Sequence, residues 1–321
     1  MQRNTLPIDD VLYVVVVISN YKRFNRRYQL YKEFMDRLLL QPKVVPLTVE
    51  IAFGSREFEV TNPDSRYYPD ESLATRMLPP LQLRTRSEIW HKENMINLGV
   101  ARLPGCWEYV AWIDADIEFA NVNWVDETLH ALQHYDIVQM FQTATMLGPD
   151  QRVLTLHQGF AYSYLKGAKL GRSYPLWHPG FAWAATRCAW DNIGGLPDFC
   201  ILGSADHSFA CLLIGKLDFS LPSKISEPYR RHLEIYQDNC ERKIQRNIGF
   251  VEGNVQHYWH GSIKNRRYKE RWQILTDNDF DPDADLVRDW QGVYHLTGNK
   301  PRLRAEISQY FVQRNEDSID E

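Results

Sequence analysis

Trp112-Ile113-Asp114-Ala115-Asp116-Ile117-Glu118-Phe119 decides how this chain is read. Its two aspartates, one residue apart, follow Tyr109-Val110-Ala111-Trp112-Ile113, an apolar run of the length of a buried strand. A strand that ends in Asp-x-Asp puts both acids at the carboxyl edge of a sheet, where open α/β sheets bind their ligands. Paired carboxylates repel unless a cation or a hydrogen-bond donor sits between them, so a divalent metal is the natural occupant. An acidic strand-to-turn corner without a ligand is the plain alternative.

Upstream, residues 11–18 are β-branched and continuous, the pattern of a parallel strand buried on both faces, and they stop at the polar corner Ser19-Asn20. Between residues 24 and 40, Leu30, Phe34 and Leu38, with Tyr31 and Met35, fall at helical spacing until Pro42 ends the pattern. Residues 44–53 then predict a second strand, with Glu50 near its end. This β-α-β opening requires a crossover connection and a ligand crevice at the strand ends. Residues 55–83 are polar and weakly patterned and predict an irregular excursion. A helix is expected over 87–103, with Ser87 as its N-cap and Pro104-Gly105 closing it. A short helix over 125–132 and a strand over 137–141 follow the acidic pair. The acidic end, residues 316–321, is expected to fray. The division expected is one domain over 1–295 and a C-terminal helix with an acidic tail over 296–321.

With 321 residues, 44% hydrophobic and 24% charged, the chain can bury a large core and reads as globular. A net charge of −4 gives no electrostatic reason to expect nucleic acid. The five cysteines, Cys106, Cys188, Cys200, Cys211 and Cys240, form no CxxC or CxxH pattern, which predicts reduced thiols. Residues 1–7 lack a leader's layout, and the longest apolar run is far too short to span a bilayer. A cytoplasmic chain without a transmembrane segment is therefore expected. The dinucleotide fingerprint GxGxxG and the P-loop are both absent.

Four further clusters can carry chemistry. In Gly203-Ser204-Ala205-Asp206-His207, small residues precede a lone acid, so Asp206 could take a proton from an acceptor hydroxyl, could cap a helix over 207–214, or both. In His257-Tyr258-Trp259-His260, two histidines three residues apart can converge on one ion, or be ordinary hydrogen-bonded side chains. Lys264, Arg266, Arg267, Lys269 and Arg271 follow, either as a solvated helix face or as partners for a diphosphate. At the end of the first strand, Asn20-Tyr21-Lys22-Arg23-Phe24-Asn25-Arg26-Arg27 suits a stacked base and paired phosphates. Trp177-His178-Pro179-Gly180-Phe181-Ala182-Trp183 adds an aromatic loop.

The order of these clusters resembles GT-A-fold glycosyltransferases, above all the β-1,4-galactosyltransferase and polypeptide N-acetylgalactosaminyltransferase branch, over about residues 11–271. Asn25-Arg26 with Leu30 and Phe34 is similar to that branch's Arg-Asn-Arg…Leu…Phe stretch, although Phe24 stands where its first arginine falls and Arg23 is adjacent. Trp90-His91-Lys92 through Asn97-Leu98-Gly99 resembles its Phe-Asn-Arg…Asn-Val-Gly helix, with Lys92 in place of an arginine. Asp114-Ala115-Asp116 resembles Asp-Val-Asp, and residues 180–198 resemble Phe-Gly-Gly…Asn-Gly-Phe-Pro-Asn. Gly203-Ser204-Ala205-Asp206 resembles the Gly-Gly-Glu-Asp catalytic turn, with Ala205 replacing the glutamate. His257 and His260 match a pair of metal-site residues three apart, the second a histidine.

The resemblance implies an α/β fold, a Rossmann-like mixed sheet flanked by helices. It implies Mn²⁺ or Mg²⁺ held by Asp116 and His260, with help from Asp114 and His257, and an inverting sugar transfer with Asp206 as base. The donor would be a nucleotide-diphosphate sugar, of uridine for preference, and the acceptor a hydroxyl on a glycan or glycoconjugate. Asn20, Tyr21 and Glu50 would lie by the nucleoside. Arg26, Lys264 and Arg267 would meet phosphates, and Trp177 and Trp183 would be sugar platforms. Arg23, Lys92, Asp114 and Gly180 complete the expected donor contacts. Two rivals remain. A nucleotidyltransferase would want a glycine-rich loop after the first strand, where this chain has none. A sugar-binding module would keep the fold without turnover.

Overall fold

The structure is a computed structural model and describes residues 11–169 and 177–319. The first seven residues, on which the expectation about a leader rests, lie outside that range, as do residues 320–321 of the acidic end. Strands β1 (Leu12–Ser19) and β2 (Val44–Phe53) pair in parallel around the helix Asn25–Leu38, as the β-branched runs require. Strands β3 (Leu81–Thr85), β4 (Tyr109–Ile113), β5 (Ile117–Phe119), β6 (Ile137–Gln139), β7 (Thr143–Leu147) and β8 (Val153–Gly159) follow. The set continues with β9 (Trp177–His178), β10 (Ala182–Thr186), β11 (Ile248–Phe250) and β12 (Asn254–His257).

A seven-stranded sheet runs β11-β6-β10-β4-β1-β2-β3. It is mixed: β10 lies antiparallel between β4 and β6, and the other pairs are parallel. A second sheet runs β5-β12-β7-β8-β9. Alternation along β1 feeds two cores, Val15 packing on one face of the sheet and Leu12, Val14 and Val16 on the other. The protein is thus α/β with a mixed sheet flanked by helices. Among the described residues no helix is long and apolar enough to cross a membrane.

Asp114 follows β4 in the large sheet, and Asp116 precedes β5 in the second. The acidic pair is therefore the corner at which the chain passes from one sheet to the other, which is why its two carboxylates face different neighbours.

Several local expectations are corrected. Residues 55–83 are not wholly irregular: Glu71–Ala74 is a short helix capped by Asp70, and β3 begins at Leu81 and pairs in parallel with β2. The helix expected from Ser87 starts at Lys92. The stretch before it is held by tertiary bonds, Trp90 N to Ile201 O at 2.7 Å and Leu296 N to the Ser87 hydroxyl at 3.2 Å, so Ser87 caps nothing. The helix after the glycine-rich turn spans Ala205–Leu213, with Ser204 at its cap position, so Asp206 lies in the first turn and is not the N-cap. The acidic end does not fray where it begins, since Glu316 is 3% exposed behind the helix Pro301–Gln313.

Candidate functional site

One cleft of about 150 Å³ opens at the carboxyl ends of β1 and β4, and Asp116, His257, His260 and Asp206 all line it. β5 and β12 are antiparallel with Ile117 opposite His257, and Tyr258 N donates to Asp116 O at 2.8 Å. This ladder fixes the backbone on either side of the donors. The turn that follows swings His260 back, so that its Nε2 lies 3.0 Å from Asp116 Oδ2 and 3.3 Å from His257 Nε2, with His257 Nε2 3.8 Å from the same carboxylate oxygen.

Both imidazoles are buried, and Asp116 Oδ1 is buried without a hydrogen-bond partner. Burial and the Arg266 charge hold both histidines below their usual range despite the carboxylate beside them. Burial works to raise Asp116, but the rings and Arg266 outweigh it and hold it well below the carboxylate range. Two neutral imidazoles and one carboxylate are the donor set that divalent ions take. Ligand bonds of about 2.1 Å at right angles put neighbouring donor atoms about 3 Å apart, so Asp116, His257 and His260 fit such an ion. Among the described residues they form the cluster suited to one.

Asp114 turns the other way and is ion-paired with Lys92, at the start of the helix Lys92–Val100. Burial and the Asp116 and Asp206 charges raise its carboxyl, against the pull of Lys92. Asp206 accepts from His207 N at 2.8 Å. Burial again opposes ionisation there, but Lys92, His178 and Arg271 outweigh it and hold the carboxyl low. Gly180 is required beside it, because a Cβ at that position would lie 2.6 Å from Asp206 Oδ2. The same loop carries Phe181 at φ 74°, a conformation that costs a bulky side chain about 1–3 kcal/mol. His178 stacks on Phe181, centroids 3.8 Å apart, and Phe181 in turn lies against His257 at 4.9 Å. The strained loop thus packs against both Asp206 and His257.

Other expected residues fall elsewhere. Asn20, Arg23 and Glu50 gather in a separate hollow of about 20 Å³ at the ends of β1 and β2. There Asn20 clamps its own turn through Phe24 N and Phe24 O, and Arg23 pairs with Glu59. Glu50 accepts from the backbone N–H groups of Glu59, Val60 and Thr61. Tyr21 is buried, its hydroxyl on His91 Nδ1. Arg26 donates to Trp259 O at 3.0 Å, Lys264 is exposed, and Arg267 bonds Gln313. Trp183 is 2% exposed, with Nε1 on Pro179 O, and Trp177 packs on Phe160; both belong to the core and present no open face.

Of the expected cations Lys92 lines the cleft, and with it stand Arg27 beside Arg26, Arg266 and Arg271 around Arg267, and Arg314 near the C-terminal end. Arg266 and Arg271 each keep a buried Nε without a partner. Trp90 and Glu93 also line it. Burial, with the Asp206 and Asp114 charges, raises the Glu93 carboxyl to about 8 against Lys92, so it is mostly protonated at neutral pH. The arginine-rich runs signal cations, but which of them face inward depends on helix phase and turn geometry. For Glu93 the only signal is its place beside Lys92.

No protein-family profile matches this chain, and no curated protein sequence does. Among solved structures, a mutant of Drosophila β1,4-galactosyltransferase 7 in complex with manganese, UDP-Gal and xylobiose is similar at 12% identity and TM-score 0.39, over 91% of this chain and 98% of that one. Glucosyl-3-phosphoglycerate synthase from Mycobacterium tuberculosis, in complex with Mn²⁺, UDP-glucose and phosphoglyceric acid, is similar at 14% identity and TM-score 0.36, over 90% and 86%. The 4-diphosphocytidyl-2C-methyl-D-erythritol synthase of Anaerococcus prevotii is similar at 10% identity and TM-score 0.34, over 76% and 87%.

Proposed function

We propose that this protein is a metal-dependent glycosyltransferase of the GT-A type. It would move a sugar from a nucleotide-diphosphate donor, of uridine for preference, to a hydroxyl of a glycan or glycoconjugate with inversion. The observation that carries this reading is a three-donor metal cluster and an ionised Asp206 lining one cleft.

Asp116, His257 and His260 would hold Mn²⁺ or Mg²⁺, which when bound would supply Lewis acidity to offset charge on a departing diphosphate. Arg266 and Arg271, with unpartnered Nε groups, bind phosphate oxygens and keep them oriented. Asp114, tied to Lys92, accepts from a donor hydroxyl. Asp206 takes the proton of the acceptor hydroxyl. The acceptor oxygen then bonds to the anomeric carbon from the face opposite the diphosphate. The bond from that carbon to the phosphate oxygen breaks, its electron pair leaving on the diphosphate, and the configuration inverts.

Incubation with Mn²⁺ and a panel of nucleotide sugars tests this. Donor hydrolysis or transfer that is lost in Asp206→Asn is the expected result. Donor binding without turnover would favour a sugar-binding module, and consumption of a nucleoside triphosphate would favour a nucleotidyltransferase.

A further inference from the structure

The end of the chain is strapped across the back of the metal cluster. Gly261, at φ 88°, follows His260, and a Cβ there would lie 2.9 Å from both Asn315 O and Glu316 Cα. The strap and the histidine turn therefore touch backbone to backbone. On one side Trp259 Nε1 donates to Ser318 O at 2.7 Å. On the other, Asp317 accepts from Asn25 N at 3.0 Å and Arg26 N at 2.8 Å, which satisfies the first turn of the helix Asn25–Leu38.

Glu316 sits between these anchors. Its Oε2 lies 2.6 Å from Arg27 Nε, its Oε1 2.6 Å from Arg314 Nε, and its Oε2 3.9 Å from His260 Nδ1. Burial opposes its charge, but Arg27 and Arg314 outweigh that and hold it far below the carboxylate range, so it is an anion. On the far side of the His260 ring, Arg266 Nη2 lies 2.9 Å from Nε2. Nε2 thus faces a donor, the Arg266 guanidinium, and an acceptor, Asp116 Oδ2 at 3.0 Å, while Nδ1 faces the Glu316 charge, which favours a proton on that nitrogen. A carboxylate behind a ligating histidine selects its tautomer and strengthens it as a ligand.

We propose that Glu316 is a positioning residue for the metal site, seated by the C-terminal strap so that its carboxylate keeps His260 in the tautomer that offers Nε2 to the ion. This rests on the metal reading of Asp116, His257 and His260.

The test is Mn²⁺ affinity of the full chain without donor, measured by calorimetry and by electron paramagnetic resonance of free Mn²⁺. Glu316→Gln keeps the shape and removes the charge, and is expected to weaken Mn²⁺ binding about 10- to 100-fold. Asp317→Asn loosens the strap that seats Glu316 but leaves its charge in place, and is expected to weaken Mn²⁺ binding less than Glu316→Gln does. Unchanged affinity in folded Glu316→Gln overturns the proposal and leaves the metal site standing. Weakening in Asp317→Asn as large as in Glu316→Gln also overturns it, because anchoring of the strap, and not the carboxylate, would then account for the effect. Failure of the wild type to bind Mn²⁺ removes the metal reading itself, and this proposal with it. A measurement without mutation stands beside these: ¹⁵N resonances of His260 in the metal-free wild type are expected to report Nδ1–H, and an Nε2–H ring overturns the assignment.

Discussion

The cleft and the hollow at the ends of β1 and β2 are both rich in polar residues, yet their polar groups are used differently. At the hollow, Asn20 clamps its own turn, Arg23 pairs with Glu59, and Glu50 is consumed by three backbone N–H groups. In the cleft, Asp116 Oδ1 and the Nε groups of Arg266 and Arg271 are buried without partners. Burying a polar atom unpaired costs about 1–3 kcal/mol, and a site for a charged ligand is where a fold tolerates that cost. Residue type alone does not separate the two regions. The state of the hydrogen bonds does.

The strongest way to break this contrast is to exchange a group between its two sides. Asp116→Asn should abolish measurable Mn²⁺ binding and with it donor turnover, while leaving the fold intact. Glu50→Ala should do the reverse, lowering stability by about 1–3 kcal/mol through the three orphaned N–H groups and leaving Mn²⁺ affinity unchanged. Calorimetric titration and thermal melts separate the outcomes, and an Asp116→Asn protein that still binds Mn²⁺ tightly would remove the distinction. Asp206→Asn should come next, lowering kcat for donor turnover about 10²- to 10⁴-fold with no change in Mn²⁺ affinity, since Asp206 is not among the clustered metal donors.

Legibility in the sequence follows the same division. The runs that became β1, β2 and β4 declare themselves, because strands buried on both faces must be apolar throughout. The grouping of Asp116 with His257 and His260 is implied by the resemblance, because a three-residue spacing lets two histidines converge but does not name the distant acid they meet. The start of the helix at Lys92 is not legible, because Trp90 and Ser87 are committed to Ile201 and Leu296, partners far away in the chain. The choice of Arg27 over Arg26 turns on a single step of helix phase. Glu316 could not be found at all from local pattern, since an acidic chain end reads as solvated until its two arginines are seen around it.

Helix phase can be tested within one run of cations. Arg266 lines the cleft and touches His260, whereas Lys264 is exposed. Arg266→Gln should raise KM for the donor about tenfold or more, the usual cost of losing a hydrogen bond between charged groups in a sheltered site. Lys264→Gln should change KM less than twofold at moderate salt, because an exposed charge is screened. Equal effects from the two variants would mean that the run acts as a diffuse basic patch and that the inward turn of Arg266 carries no special weight.

The smallest effect expected is on pH dependence, and it concerns the cleft. Glu93 is 5% exposed and its carboxyl is raised by burial, and by Asp206 and Asp114, from 4.5 to about 8. In the unfolded chain that group loses its proton near the lower value, so between the two the folded state holds more protons than the unfolded one. Stability therefore falls as pH rises through this window, and it levels off above it. Wild-type Tm should drop by several degrees between pH 6 and pH 9, and Glu93→Gln, which stays neutral, should flatten that slope. Mn²⁺ affinity at fixed pH should be the same in both proteins, because Glu93 is not among the clustered metal donors. A slope that survives Glu93→Gln would place the titrating group elsewhere and would mean that the cleft accepts a charged Glu93 beside Asp206, with Lys92 alone enough to balance both.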